Sequence, residues 1–380
     1  MIESVFNRGR YWLYAFLLLA GCSGDVPPET PDVMDSALVE VVEPRIDAFL
    51  EAMVDEEHFS GVVLVTRDDE VVHAKGYGAA SGDHLNNVNT AFHVASVTKQ
   101  FTAAAIMQLV EAGTLDLGAS INEYLPEQYR TPTWNDVHVH HLLSQSSGIT
   151  DYAVTRDYYD VVDGFCLGDT VDGMIREAMT KGLEFAPGTQ YSYSNIGFTL
   201  LGEIIEEQSN TPYDRYMAEN ILEPMGMRSS RIHIQNHVPA ENEAAGHRWD
   251  DATQRHVKDD VVSLPVTAPD GGLVTTLNDY RRWIRLYAGR DQSILTQASI
   301  ESMTTRQVAI GHGREIDGYG YGLGVGERLI GHSGYIVGFR SRFDYARESR
   351  TLVAVFTNNT ANDPGRISAG LLTIIFSPES

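Results

Sequence analysis

The chain has 380 residues, 43% of them hydrophobic, and carries 28 basic against 52 acidic side chains for a formal net charge of -24. That is enough apolar material for the core of one large domain. So acidic a surface repels phosphate backbones and anionic headgroups, which excludes nucleic acid and an electrostatically bound membrane surface as partners.

Arg8 and Arg10 precede the apolar stretch 11–19, and Leu19-Ala20-Gly21-Cys22 follows, the charged, apolar and small-residue order of a secretory signal. The apolar run is too short to span a bilayer as a permanent helix. Leu-Ala-Gly-Cys resembles the bacterial lipoprotein box, which implies lipidation of Cys22 and a lipid-anchored protein in the periplasm or at the cell surface. A plain signal peptide with a chance cysteine is the alternative. Removal of Cys22 to an anchor leaves Cys166 as the other cysteine, so no intrachain disulfide is expected. Residues 1–22 are thus expected to be a signal, 23–37 a polar, proline-containing tether, and 38–380 the folded domain.

Residues 38–53 have helical spacing of Val41, Val42, Ile46, Phe49 and Leu50. Residues 61–66 and 71–76, joined by Arg67-Asp68-Asp69-Glu70, predict a hairpin. Residues 96–112 predict a helix with apolar Val97, Phe101, Ala104, Ala105, Met107 and Val110, stopped by Gly113. Helices and loops are expected to about residue 265; then 322–325, 338–345 and 351–357 read as strands and 366–375 as a closing helix. Strands at both ends with helices between them predict an α/β fold of the α+β type: one antiparallel sheet from about 38–88 and 265–380, flanked by helices, with an inserted helical subdomain over about 89–264.

Ser96-Val97-Thr98-Lys99 carries the chemistry. Of the four lysines, Lys75, Lys99, Lys181 and Lys258, Lys99 alone has a serine three residues before it. A serine hydroxyl needs a neighbouring base to act as a nucleophile, and residues three apart on a helix share a face. A capping serine is the structural alternative for an isolated pair. Two further elements stand in order behind it: Tyr193-Ser194-Asn195 after the turn Phe185-Ala186-Pro187-Gly188, and His332-Ser333-Gly334 before a strand-like run over 335–343.

With His141-Leu142-Leu143-Ser144-Gln145-Ser146-Ser147-Gly148 and Pro269-Asp270-Gly271-Gly272-Leu273, this set resembles the serine β-lactamase and penicillin-binding-protein superfamily. The similar branch holds class C β-lactamases, D,D-peptidases, D-amino-acid amidases and family VIII esterases. The resemblance implies Ser96 as nucleophile, Lys99 and Tyr193 as the proton-passing pair with either as working base, and Asn195, His332, Ser333 and Gly334 as substrate-binding groups. It also implies an oxyanion hole from the backbone N–H groups of Ser96 and Tyr335. The implied substrate is a small ester, amide or peptide, cleaved through an acyl-enzyme; no cofactor is implied. A lipoprotein that binds acyl donors or peptidoglycan fragments without turnover is the alternative, and the intact Ser96, Lys99, Tyr193 and Asn195 speak against it.

One position departs from the family. Its β-lactamases carry lysine at the third motif to hold a substrate carboxylate, and this chain has His332, mostly neutral at pH 7. Ester and amide substrates are therefore expected ahead of β-lactams. Acidification is expected to charge the imidazole, and Arg340 is the alternative source of positive charge. Gly331-His332-Ser333-Gly334-Tyr335 fails the Gly-x-Ser-x-Gly nucleophile elbow at Tyr335. His138, His140 and His141 lack the acid and histidine of a His-x-His-x-Asp-His metal motif and are expected to be structural, with no metal site assigned.

Overall fold

The computed structural model describes residues 36–151, 161–162, 165–166, 170–233, 240–250, 252–253, 255–258, 268–311 and 315–377. Cys22, the signal segment and nearly all of the tether lie outside these residues. Helix α1 (Ser36–Glu57) buries Val42, Ile46, Leu50 and Met53 along one face. Strands β1 (Gly61–Arg67) and β2 (Glu70–Tyr77) form the expected hairpin, turned at Asp68 and Asp69 with φ of 51° and 73°. Aspartate tolerates that left-handed backbone because its short side chain bonds locally.

A 3-10 turn (Ala95–Thr98) leads into helix α2 (Lys99–Glu111), and helix α3 (Asn195–Ser209) follows in the middle of the chain. Strands β3 (Leu329–Ile336), β4 (Phe339–Ala346) and β5 (Thr351–Thr357) and helix α4 (Pro364–Phe376) close it. Both chain ends build one eight-stranded antiparallel sheet. Its order is β2-β1-β5-β4-β3, continued by the short strands Gly324–Val325, Gly318–Tyr319 and Val308–Ala309.

The sheet separates two apolar layers. Val63, Val65, Val353 and Val355 face α1 and α4, packing on Ile46, Leu50, Ile367 and Leu371. Val62, Leu64, Leu352, Ala354 and Phe356 point the other way, into the larger core that holds α2 and α3. β1 and β5 are thus covered on both faces, which is why their sequences are nearly continuous apolar runs rather than alternating ones. Helix α2 is buried from Lys99 through Met107 and on to Leu109, so the residue that begins it has no access to bulk water from the helix side.

Two expectations change. His332-Ser333-Gly334 lies inside β3 rather than ahead of a strand, because the expected run 335–343 is split by a turn at Gly338, whose φ of 83° suits glycine. The helical middle also contains a small sheet, Phe92–His93 with Leu273–Thr275 and Arg231–Ile232, too short to show as period-two patterning. It has a positional consequence: the Val94 N–H donates to Leu273 O at 3.1 Å, just before the turn that carries Ser96.

β3 touches that turn directly. The Ser341 hydroxyl donates to Val94 O at 2.7 Å, and a Cβ built on Gly334 would stand 2.1 Å from Val94 O and 2.4 Å from Ser341 Oγ. Gly334→Ala should therefore force backbone apart and cost about 1–3 kcal/mol, the range of overpacking changes. Thermal unfolding checks this: a variant melting with the wild type would show that β3 does not press on the Ser96 turn.

Candidate active site

Ala95, with φ of 47°, turns the chain into the 3-10 segment so that Ser96 precedes α2 by one turn. A non-glycine residue held in that region is a strained one, of the kind that surrounding structure must enforce. Lys99 is the first residue of α2 and is fully buried. Its Nζ lies within hydrogen-bond distance of three oxygens: Ser96 Oγ at 3.1 Å, Asn195 Oδ1 at 2.9 Å and the Asp270 carbonyl at 2.8 Å. It also lies over the Tyr193 and Phe198 rings, at 4.9 and 5.5 Å from their centroids.

Burial is the chief force on this amine and lowers its pKa to about 8, with the negative charges of Asp270 and Asp151 pulling the other way. The Tyr193 hydroxyl is hydrogen-bonded to Ser96, yet burial pushes its pKa well above the ordinary tyrosine value. Of the two candidate bases that sequence left open, the lysine is thus the one whose basic form is accessible near neutral pH, while the phenol stays protonated.

Asn195 is fixed by a residue that sequence reasoning missed. Asp151 Oδ1 accepts the backbone N–H groups of Asn195 at 2.8 Å and Ile196 at 3.1 Å, and its Oδ2 accepts from Asn195 Nδ2 at 3.2 Å. It caps α3 from 44 residues away, so no local capping pattern in the sequence marks it. By taking the amide NH2 it leaves Asn195 Oδ1 turned to Lys99.

The supporting stretches form the scaffold of Tyr193. Gly188 N–H donates to Ser146 O at 2.8 Å, Ser192 N–H to Gln145 O at 3.0 Å and Ser194 N–H to Gln145 Oε1 at 2.7 Å. The loop 184–194 is thereby laid along the segment 144–148, and a Cβ on Gly148 would meet Phe185 O at 2.4 Å. Ser194 spends its hydroxyl on Ile149 O at 3.3 Å, a structural use. In the nearby histidine group, ring nitrogens of His138, His140 and His141 lie within 4.8 Å of one another, and His141 Nδ1 accepts the His138 N–H at 3.0 Å.

His332 sits beside this centre, buried, with its ring 6.1 Å from that of Tyr193. Its Nδ1 is 2.6 Å from Ser333 O and its Nε2 is 3.0 Å from Tyr319 Oη. A carbonyl only accepts, so Nδ1 carries the proton and Nε2 accepts from the tyrosine. Burial first, and the charge of Lys99 second, lower its pKa to about 3. The expectation that mild acid would charge His332 is therefore overturned, because Tyr319 and the burial that hold it neutral are brought in by the fold. Ser333 and Gly334 continue along β3, and Tyr335 follows, 52% exposed as a residue. The Gly331–Tyr335 segment is continuous antiparallel strand paired with β4, which disposes of the nucleophile-elbow alternative.

A sequence model of the beta-lactamase family matches residues 46–374, and the chain belongs to that family. The octameric penicillin-binding protein homologue from Pyrococcus abyssi superposes with a TM-score of 0.77 at 31% identity, over 89% of this chain and 78% of that one. The D-amino acid amidase from Ochrobactrum anthropi SV3 gives a TM-score of 0.74 over 90% of this chain and 98% of its own, and at 22% identity that likeness speaks for the fold. The D-aminopeptidase of Cereibacter sphaeroides is 28% identical over 315 residues, 80% of this chain and 57% of that protein. The chain is accordingly an enzyme, a serine hydrolase of the β-lactamase and D,D-peptidase kind.

Asp151→Ala removes an acceptor from two backbone N–H groups and one amide. Leaving buried donors unpaired costs about 1–3 kcal/mol, so the melting temperature should fall by several degrees. A variant as stable as the wild type would show that water or another side chain replaces the carboxylate.

Proposed function

We propose that the chain cleaves amide bonds, and simple esters with them, through an acyl-enzyme on Ser96 with neutral Lys99 as the base. The observation that carries this is the set of partners around Lys99 Nζ. A neutral amine has two protons and one lone pair. Asn195 Oδ1 and the Asp270 carbonyl can only accept, so they take the two protons, and the lone pair is left facing Ser96 Oγ, the one neighbour with a proton to give.

Ser96 Oγ then bonds to the substrate carbonyl carbon as its proton passes to Lys99. The developing oxyanion is held by the backbone N–H groups of Ser96 and Tyr335. As the C–N or C–O bond breaks, the leaving group takes the proton that Lys99 accepted, which returns the amine to its neutral form, while the Tyr193 hydroxyl stays protonated beside Ser96. Water, deprotonated by the same amine, releases the acyl group. Asn195 orients Lys99 and, with the edge of β3, the substrate. The D-aminopeptidase and D-amino acid amidase among the similar proteins support amino-acid amides or short peptides as the substrate class. His332 offers no free donor to a substrate carboxylate, which supports amide and ester turnover ahead of β-lactam turnover.

Because the base works when neutral and its pKa lies near 8, kcat/KM should rise about tenfold per pH unit from pH 6 towards 8 and level off above. Ser96→Ala and Lys99→Ala should each remove several orders of magnitude, since members of one catalytic unit fail together. Hydrolysis of a p-nitrophenyl ester and an amino-acid p-nitroanilide across pH 6–9.5 measures both. Undiminished turnover in Ser96→Ala, or a profile flat from pH 6 to 9, would rule the mechanism out.

A further inference from the structure

We propose that Thr98 is a positioning residue for the oxyanion hole, its hydroxyl fixing the peptide unit that presents the Ser96 N–H to a substrate carbonyl; this rests on the acyl-enzyme reading above. Thr98 is fully buried at the end of the 3-10 turn that carries Ser96. Its Oγ1 donates to Ala95 O at 2.6 Å and accepts the Leu273 N–H at 2.9 Å, so the hydroxyl is held from both sides. Threonine hydroxyls in helices commonly return to a carbonyl three or four residues back. Here that carbonyl belongs to the peptide that also carries the N–H of the nucleophile.

The Ala95 C=O and the Ser96 N–H lie in one planar trans peptide and point in opposite directions. Fixing the oxygen therefore aims the N–H. Among the described residues the Ser96 N–H has no acceptor, whereas the N–H of the next residue, Val97, returns to Val94 O at 3.2 Å. A bond to the carbonyl end of an amide also polarises its N–H and strengthens it as a donor. The φ of 47° at Ala95 adds a second reason for the clamp, because a strained backbone persists only where its surroundings enforce it. The Thr98 hydroxyl bonds the carbonyl of that same residue.

The clamp also gives the stretch Pro269-Asp270-Gly271-Gly272-Leu273 a role. Thr102 Oγ1 donates to Pro269 O at 2.6 Å, Lys99 Nζ lies 2.8 Å from Asp270 O, and the Leu273 N–H reaches Thr98 Oγ1. Leu273 O in turn accepts the Val94 N–H at 3.1 Å. The turn is closed tightly at Gly272, where a Cβ would stand 2.7 Å from Ala268 Cα. One segment thus sets the base through Lys99 and the oxyanion donor through Thr98. Both are in place before substrate arrives, so the donor needs no reorganisation as negative charge develops.

The test compares Thr98→Val, which keeps the shape of the side chain without its hydroxyl, with Thr98→Ser, which keeps the hydroxyl. On a p-nitrophenyl ester, Thr98→Val should lower kcat about ten- to a hundredfold with KM within about threefold of wild type, because an oxyanion donor acts on the transition state more than on the bound substrate. A boronic acid, whose tetrahedral adduct on Ser96 places an oxygen among the same donors, should bind more weakly by a similar factor. Thr98→Ser should recover most of the rate, and the pH midpoint should stay near 8 in all three proteins because Lys99 keeps its partners. If Thr98→Val does not fold, Thr98→Ala carries the same comparison. A kcat unchanged by loss of the hydroxyl, a loss that Thr98→Ser shares, or one that appears in KM alone or as a moved pH midpoint overturns the assignment. Turnover that survives Ser96→Ala removes the acyl-enzyme reading as well, whereas turnover lost in Ser96→Ala and kept in Thr98→Val removes the role of Thr98 alone.

Discussion

Burying an amine is the constraint on which the rest of this structure depends. Lys99 is out of contact with water, and an unpaired polar nitrogen in such a place costs several kcal/mol. Of its three oxygen partners one is local, Ser96 one turn away, and two are distant in the chain, Asn195 at the start of α3 and Asp270 in a short helical turn (Ala268–Gly271). Satisfying the lysine therefore ties the start of α2 to the start of α3 and to the 268–271 turn. The packing that stabilises the fold and the geometry that allows proton transfer answer to the same three bonds. Each can be lost only with the other.

The surrounding aromatic wall follows from the same burial. Tyr191, Tyr193 and Tyr319 line the cavity, and burial pushes the pKa of each upward, so the wall is a set of neutral hydroxyls rather than charges. A neutral wall leaves the amine as the group whose protonation changes most easily near pH 8. It also explains the choice of histidine at position 332. An ammonium there would add a second positive charge near Lys99 and lower the pKa of that amine further. An imidazole tied to Tyr319 and Ser333 keeps the edge of β3 in place without adding charge.

Much of this was legible in the sequence, and the boundary is physical. Ser96 and Lys99 could be paired because three-residue spacing is a local property of helical turns. The Asp68-Asp69 hairpin and the stop at Gly113 could be placed because turn residues act on their own backbone. Tyr193 and Asn195 came from motif order, which reflects a site and not local structure. Asp151 escaped because its capping partners are far off in sequence, and Gln145 because its role is to hold a loop it does not adjoin. The response of His332 to acid was misjudged for a related reason, although its neutral state at pH 7 was not. Reference pKa values describe a solvated ring, and neither Tyr319 nor the burial on β3 can be read from His332-Ser333-Gly334.

The two faces of β3 leave their side chains unequal freedom. Alternate residues of a strand point to opposite faces. His332 and Gly334 face the nucleophile turn, where Gly334 admits no Cβ and His332 is locked by two bonds, so that face has little freedom. Ser333 faces the other way, towards Arg342, Asp344 and the open cavity, where a side chain can be exchanged without disturbing Lys99. The face of β3 turned to the Ser96 turn is thus fixed by packing, and the face turned to Arg342 is the one that leaves a side chain free to vary in shape.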